Sequence, residues 1–263
     1  MLEIQALHKD YQGKRVLDSI HFSIGDGEIV GLIGMSGSGK STLARCVVGL
    51  EKPQAGKMLW NGQSLNDKSV RRKSRRDIQM VFQDPRNSLN PAWTVKRSLL
   101  ESMRQFHGTR SAAAHEHMME GLLTSVRLPV DSLHRYPHEL STGQCQRVCL
   151  ARSLVPEPKL LVLDECLSAL DVSIQAQMIT LLRDLHQHRQ MSYLFISHDI
   201  AVVASLCQKI IVIQQGVIVE AADAHTLIHN PRHPYTRSLL ADTPTLPEFT
   251  YASEEREERS LVL

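Results

Sequence analysis

The sequence predicts an α/β fold with a small antiparallel β subdomain at its N-terminus and an inserted α-helical subdomain, and three observations predict it. A short apolar run, Glu28 to Ile33 (EIVGLI), leads into Gly34-Met35-Ser36-Gly37-Ser38-Gly39-Lys40-Ser41, and a helix-like segment, Ser41 to Leu50, follows. Strand, glycine turn and helix N-terminus in register are the setting in which a G-x-x-x-x-G-K-[ST] loop binds phosphate. Upstream, Ile20, Phe22 and Ile24 alternate with polar neighbours, the pattern of a half-buried strand. Downstream, residues 84–155 carry a helical period, and short apolar runs return from Lys159.

In chain order, Asp26-Gly27 marks the turn after the first strands. The loop at 34–41 is built for an anion. Its glycines lack the Cβ that forbids positive φ, and its free N–H groups together with the following helix dipole favour negative charge. Lys40 reaches β- and γ-phosphates as a point charge, while Ser41 helps to hold Mg²⁺. Gly34, Ser36, Gly37, Ser38, Gly39, Lys40, Ser41 and Thr42 are therefore the candidate phosphate contacts. Trp60-Asn61-Gly62 predicts a hairpin turn after Lys57–Trp60. Arg71 to Arg76 (RRKSRR) reads as a solvated helix start, because no aromatic residue interleaves it as nucleic-acid binding would require. Val95 to Phe106 and Ala112 to Val126 fit amphipathic helices, within an insertion of about 84–155. Leu160–Leu163 and Tyr193–Ile196 read as buried parallel strands, with a helix over Ile174–His188 between them. Ile210 to Glu220 reads as a hairpin turning at Gly216. One domain is expected over 1–247, with a charged tail at 248–263 too polar to order well.

Composition narrows the function classes. The chain has 263 residues, 42% hydrophobic and 22% charged, enough to bury a sizeable core, and only 5% aromatic, so that core is aliphatic. A net charge of +2 gives no case for nucleic acid as a partner. No apolar run approaches the roughly 18–20 residues of a membrane span, and Met1 to Asp10 lacks a signal-peptide layout. The five cysteines are odd in number, dispersed and without C-x-x-C, which argues against disulfides and zinc. Cys145 and Cys149 lie one helical turn apart and read as small buried hydrophobes in preference to a metal pair. The histidine pairs 115/117, 186/188 and 229/233 have no flanking carboxylates or cysteines that complete a metal site, and most histidines read as surface residues.

Two further constellations carry chemistry. Leu160 to Leu163 ends in Asp164-Glu165. Beside a phosphate loop, the first acid suits water-mediated Mg²⁺ binding and the second suits activation of an attacking water. Leu140-Ser141-Thr142-Gly143-Gln144 precedes a helix carrying Arg147 and Arg152.

With these in order, the chain resembles the ATPase subunits of ABC transporters over nearly its whole length. The resemblance implies a P-loop NTPase (RecA-like) core that binds ATP with Mg²⁺ and hydrolyses it. It implies that Ser141, Gly143 and Gln144, in the signature loop, contact the γ-phosphate held by a second ATPase subunit. Tyr11 matches the aromatic residue that stacks on adenine, and Gln83 the glutamine that senses Mg²⁺ and links to the membrane subunit. Ser168-Ala169-Leu170-Asp171 matches the loop that crosses the dimer, and His198 the switch histidine on the γ-phosphate. Glu165 and His198 are thus the implied catalytic residues, and Ser41, Gln83 and Asp164 the implied Mg²⁺ partners. Read singly, Tyr11 is a surface tyrosine, Gln83 a turn residue and His198 a strand-end cap; their order and spacing carry the resemblance.

The chain departs from the family pattern in two places. Thr142 stands where glycine is usual, and Cys166-Leu167 replaces the common Pro-Thr. A Cβ and hydroxyl at 142 would crowd the nucleotide or restrict φ. Hypothesis: the ATP site completed by this signature loop is the weaker of the pair, so Thr142→Gly raises ATP turnover of the purified complex; unchanged turnover would refute it.

Ser88-Leu89-Asn90-Pro91 and His233-Pro234-Tyr235-Thr236 resemble the branch that imports peptides and nickel. The segments Arg75–Asp84 and Val148–Arg152 look most like the second ATPase subunit of a nickel importer. Nickel or a metal–chelator complex is therefore the expected cargo, with di- or oligopeptides as the alternative. The branch implies a second, different ATPase subunit, two transmembrane permeases, an extracytoplasmic substrate-binding protein, no nucleic acid, and a peripheral place on the cytoplasmic face of the bacterial inner membrane. A soluble ABC ATPase of repair or translation fits less well, since neither a long heptad insertion nor a second cassette is present. The signature loop and switch histidine argue against a P-loop kinase.

Overall fold

A computed structural model describes residues 1–108 and 111–241. The tail expected at 248–263 lies outside the described residues. Strands β1 (Leu2–Tyr11) and β2 (Lys14–Ile24) pair antiparallel through a turn at Gln12 and Gly13, both with positive φ. The buried strand β3 (Ile29–Ile33) feeds the phosphate loop and helix α1 (Lys40–Val47). The hairpin β4 (Ala55–Trp60) and β5 (Gln63–Ser64) turns at Asn61 (φ 51°) and Gly62 (φ 76°), the two positive-φ positions that a type I′ turn demands.

Helix α2 (Lys68–Asp77) corrects one expectation. The basic run Arg71–Arg76 forms its later part, not its start. Asp67 is the N-cap, its carboxylate accepting the Ser69 N–H at 2.7 Å. Arg75 and Arg76 sit in the last turn, where cations complement the helix dipole.

After β6 (Ile78–Val81) the chain is helical: α3 (Val95–His107), α4 (Ala112–Ser125), two short 3₁₀ turns and α5 (Thr142–Leu154). The α/β alternation then resumes with β7 (Leu160–Asp164), α6 (Val172–Arg189), β8 (Ser192–Ile196), α7 (Ile200–Leu206) and β9 (Lys209–Gln214). The hairpin strand β10 (Val217–Asp223) and the helices α8 (Ala224–His229) and α9 (Pro234–Ala241) complete the described chain.

Two sheets result. The four-stranded antiparallel sheet runs β2-β1-β4-β5, and the six-stranded sheet runs β10-β9-β3-β8-β7-β6, parallel except for β10. Because strand side chains alternate, the parallel strands feed two cores. Ile29, Leu161, Leu163, Tyr193, Phe195 and Val212 pack toward the helical region with α6 and α7. Val30, Leu32, Val162, Leu194, Ile196 and Ile213 pack toward α1 and the antiparallel sheet. β3, β7 and β8 are buried along their whole length, which is why they read as continuous apolar runs. Their C-terminal ends meet at the phosphate loop, the edge at which open α/β sheets place ligands.

All five cysteines are buried and free. Cys145 and Cys149 donate to the backbone carbonyls of Pro137 and Pro85, and burial pushes the Cys149 thiol up to about 12. Among the described residues no group of three or more histidines, cysteines or carboxylates is placed to hold a metal ion. His115 departs from the expected surface placement, being 5% exposed on α4.

Candidate nucleotide site

The phosphate loop is shaped by contacts that leave little room for side chains. A Cβ on Gly34 would lie 2.3 Å from the Ile213 carbonyl oxygen. Gly39 caps α1 at φ 107°, and a Cβ there would meet Leu17 at 2.8 Å. Ser36 and Gly37 are exposed at the crown, whereas Ser38 and Lys40 are buried and Ser41 and Thr42 half-buried in the first turn of α1. The Lys40 ammonium donates to the carbonyls of Gly34 (2.7 Å) and Met35 (3.1 Å). Burial lowers its pKa, opposed by the charges of Glu165 and Asp164.

The acidic pair stands across the loop. Ser41 Oγ donates to Asp164 Oδ1 at 3.1 Å, which ties the start of α1 to the end of β7. Burial raises the Asp164 carboxyl above the ordinary range; the Ser41 hydrogen bond works against it. Glu165 has φ 46°, a left-handed conformation costly for a residue with a Cβ and frequent at functional sites. Its N–H donates to Ile196 O at 2.9 Å, and its carbonyl accepts from the Ser168 hydroxyl. That turn aims the carboxylate at three groups. Gln83 Nε2 donates to Oε2 at 3.1 Å, His198 Nδ1 lies 3.6 Å from the same oxygen, and Lys40 Nζ lies 3.7 Å from Oε1. Lys40, Gln83, Glu165 and His198, brought from four separate segments, thus converge within one site.

The site fits a phosphate with a hard cation. Ser38 Oγ is buried inside the loop with no protein partner among the described residues. Ser41 Oγ, an Asp164 carboxylate and the side-chain oxygen of Gln83, whose amide nitrogen already serves Glu165, make an oxygen donor set of the kind Mg²⁺ takes.

Other expected residues lie apart from this cluster. Tyr11 is 39% exposed; its hydroxyl donates to Glu51, and Lys9 Nζ lies 4.7 Å from its ring centroid. Ser141 is exposed and caps α5 in a reciprocal box: its hydroxyl accepts the Gln144 N–H, and Gln144 Oε1 accepts the Ser141 N–H. Gly143 is buried, and a Cβ there would come within 2.8 Å of Ile174. Thr142 opens α5 and is not among the positive-φ residues, so its backbone takes no strain from the missing glycine. That removes the φ argument for a weak site and leaves only crowding of a nucleotide. Cys166 and Leu167 are buried in the larger core, so this departure extends the apolar packing behind Glu165. Asp171 is the N-cap of α6, accepting the Ile174 N–H.

One contact was not expected from the sequence. The Met35 N–H, within the phosphate loop, donates to the hydroxyl of Tyr235 on α9 at 2.9 Å. Nothing local to the His233–Thr236 motif shows that it reaches a loop two hundred residues earlier.

A glycine-lysine loop at the edge of a parallel sheet, an acidic pair facing it and a helical segment ending the way α5 begins define an ATP-binding cassette. Residues 17–168 match the ABC transporter family. A putative peptide import ATP-binding protein of Brucella ovis is 44% identical over 251 residues, covering 93% of this chain and 79% of the relative. The oligopeptide transport ATP-binding protein OppF of Salmonella typhimurium is 41% identical over 232 residues, covering 88% of this chain and 70% of that protein. Among solved structures, cbiO1 from Clostridium perfringens, part of the ABC transporter complex cbiONQ, superposes with a TM-score of 0.79 at 27% identity, covering 87% and 90% of the two chains. The cassette MJ0796, in a dimeric post-hydrolysis state bound to ADP and Pi, gives 0.77 at 28% identity, covering 85% and 99%. The chain belongs to the ABC transporter family and is one of its ATP-hydrolysing subunits. Both of these relatives are named for peptide or oligopeptide transport, and neither for nickel. No helix among the described residues is long and apolar enough to cross a membrane.

Proposed function

We propose that this chain powers the import of peptides, hydrolysing ATP on the cytoplasmic face of a membrane for a pair of permeases. The observation that carries the ATPase part is the convergence of Lys40, Gln83 and His198 on the Glu165 carboxylate beside the phosphate loop. The cargo part is supported by the relatives named for peptide and oligopeptide transport.

Lys40, the loop amides and Ser38 bind the phosphates, and Tyr11 stacks on the adenine. Ser41, Gln83 and Asp164 would hold Mg²⁺. Mg²⁺, when bound, screens the charge on the phosphate oxygens. Glu165 takes the proton of the attacking water, and its position between a cation and an amide donor keeps it oriented. His198, 56% exposed, is free to turn toward the γ-phosphate. The exposed Ser141, with Gly143 and Gln144, closes on the nucleotide of a second, different ATPase subunit. The permeases seat in a groove beside Gln83 lined by Leu50, Met80, Phe82 and Phe106, of which Leu50 and Phe82 are exposed hydrophobic residues. An extracytoplasmic binding protein delivers the cargo.

The test is reconstitution of the chain with its co-purifying permeases and second ATPase in liposomes, with the binding protein loaded in turn with oligopeptide or with Ni²⁺. Peptide-loaded protein should stimulate ATP turnover at least severalfold. Stimulation by the nickel-loaded protein alone would move the cargo to metal, and failure to co-purify with any membrane protein would remove the transport role.

A further inference from the structure

The peptide unit between Gly34 and Met35 is held at both ends. Its carbonyl, Gly34 O, accepts the Lys40 ammonium at 2.7 Å, and its N–H donates to the Tyr235 hydroxyl at 2.9 Å. A peptide unit is planar and rigid, so whatever fixes the direction of its N–H also fixes the direction of the carbonyl on which Lys40 rests. We infer that Tyr235 is a positioning residue of the ATPase site, acting through the Gly34–Met35 peptide to set the pose of Lys40.

The support behind Tyr235 has the features of a built strut. Glu220, on β10, accepts the N–H groups of Arg232 and His233 at 2.8 and 2.9 Å through its two carboxylate oxygens. That fixes the chain just before α9. The imidazole of His233 then accepts the Tyr235 N–H at 3.2 Å, as an N-cap does, and Pro234 opens the helix. Thr236 is fully buried, and Tyr235 packs its ring against the larger core. The hairpin that carries Glu220 also holds the far limb of the loop: the Gly216 N–H donates to Ser38 O at 3.0 Å. The β9–β10 hairpin and α9 therefore grip the phosphate loop before and after its crown, through Gly216 and Tyr235.

The inference rests on the ATPase reading above. The full-length chain is titrated with MgATP by calorimetry, the unliganded melting temperature is measured, and exchange of the Met35 amide is followed by hydrogen–deuterium mass spectrometry. Tyr235→Phe removes only the hydroxyl. It should weaken MgATP binding about three- to tenfold, the range expected for one lost neutral hydrogen bond, and speed exchange at residues 34–36. The unliganded melting temperature should stay near that of the parent, because Met35 is exposed and water can take the freed N–H. Glu220→Gln, which keeps only one acceptor oxygen for the two N–H groups, should shift affinity in the same direction by less. Parent-like affinity and exchange in Tyr235→Phe, with Lys40→Ala deficient, would overturn the inference and leave the ATPase reading standing. A fall in melting temperature that accounts for the lost affinity would also overturn it, by making Tyr235 a packing residue only. Parent-like affinity in Lys40→Ala would overturn the ATPase reading and the inference with it.

Discussion

Lys40→Ala is expected to abolish tight nucleotide binding. The ammonium is 4% exposed, and it meets two backbone carbonyls and a carboxylate at the mouth of the phosphate loop. Burial disfavours its charge and the carboxylates of Glu165 and Asp164 favour it, so an anion of higher charge at the loop strengthens the support for the cation. A triphosphate is such an anion. Charge-assisted hydrogen bonds from an ammonium to phosphate oxygens contribute about 1.5–3 kcal/mol each. Losing two of them weakens binding by roughly a hundredfold or more, at about 1.4 kcal/mol per tenfold. Alanine also leaves the Gly34 and Met35 carbonyls facing the phosphates with no cation between them. Calorimetric titration with MgATP measures the effect directly, and affinity within twofold of the parent chain would show that the loop binds its anion without Lys40.

Local signals in the sequence placed most of the fold. Asn61-Gly62 and Gly216 gave the hairpin turns, because positive φ is confined to few residue types. The continuous apolar runs gave β7 and β8, because strands buried on both faces have no polar face to alternate with. α2 is capped four residues ahead of the conspicuous Arg71–Arg76 run, by Asp67, a residue type favoured at N-caps, whose carboxylate accepts the Ser69 N–H. His115 could not be placed by periodicity, since α4 has apolar residues around much of its circumference. At the site, the phosphate loop and the acidic pair are short contiguous motifs and were legible as such. The convergence of Gln83 and His198 on Glu165 is a product of sheet order, β7 lying between β6 and β8, and no local motif shows it. The left-handed backbone of Glu165 has no propensity signal, since glutamate rarely takes that conformation by preference. Tyr235 shows the limit most clearly. A four-residue motif marked a branch of the family, but the atom it touches lies at the other end of the chain.

Glu165→Gln is expected to separate the two halves of the site's work, keeping ATP bound while hydrolysis falls about a hundred- to ten-thousandfold, the contribution of a positioned general base. The substitution is nearly isosteric. The left-handed φ and the N–H bond to Ile196 O belong to the backbone and persist, so the side chain is still delivered to the same place. The amide oxygen can accept from Gln83 as Oε2 does now. What is lost is the negative charge, and with it the capacity to take a proton from water. The loss also removes the anion 3.7 Å from Lys40. The lysine is then left with more of its charge to give to phosphate, so ATP affinity should hold or rise. The barrier increase, about 3–6 kcal/mol at 1.4 kcal/mol per tenfold, should appear in single-turnover hydrolysis, with unhydrolysed ATP retained through gel filtration. Turnover within threefold of the parent would assign the proton to some other acceptor. Loss of binding together with turnover would mean that the Glu165 carboxylate shapes the phosphate pocket and does not merely serve the water.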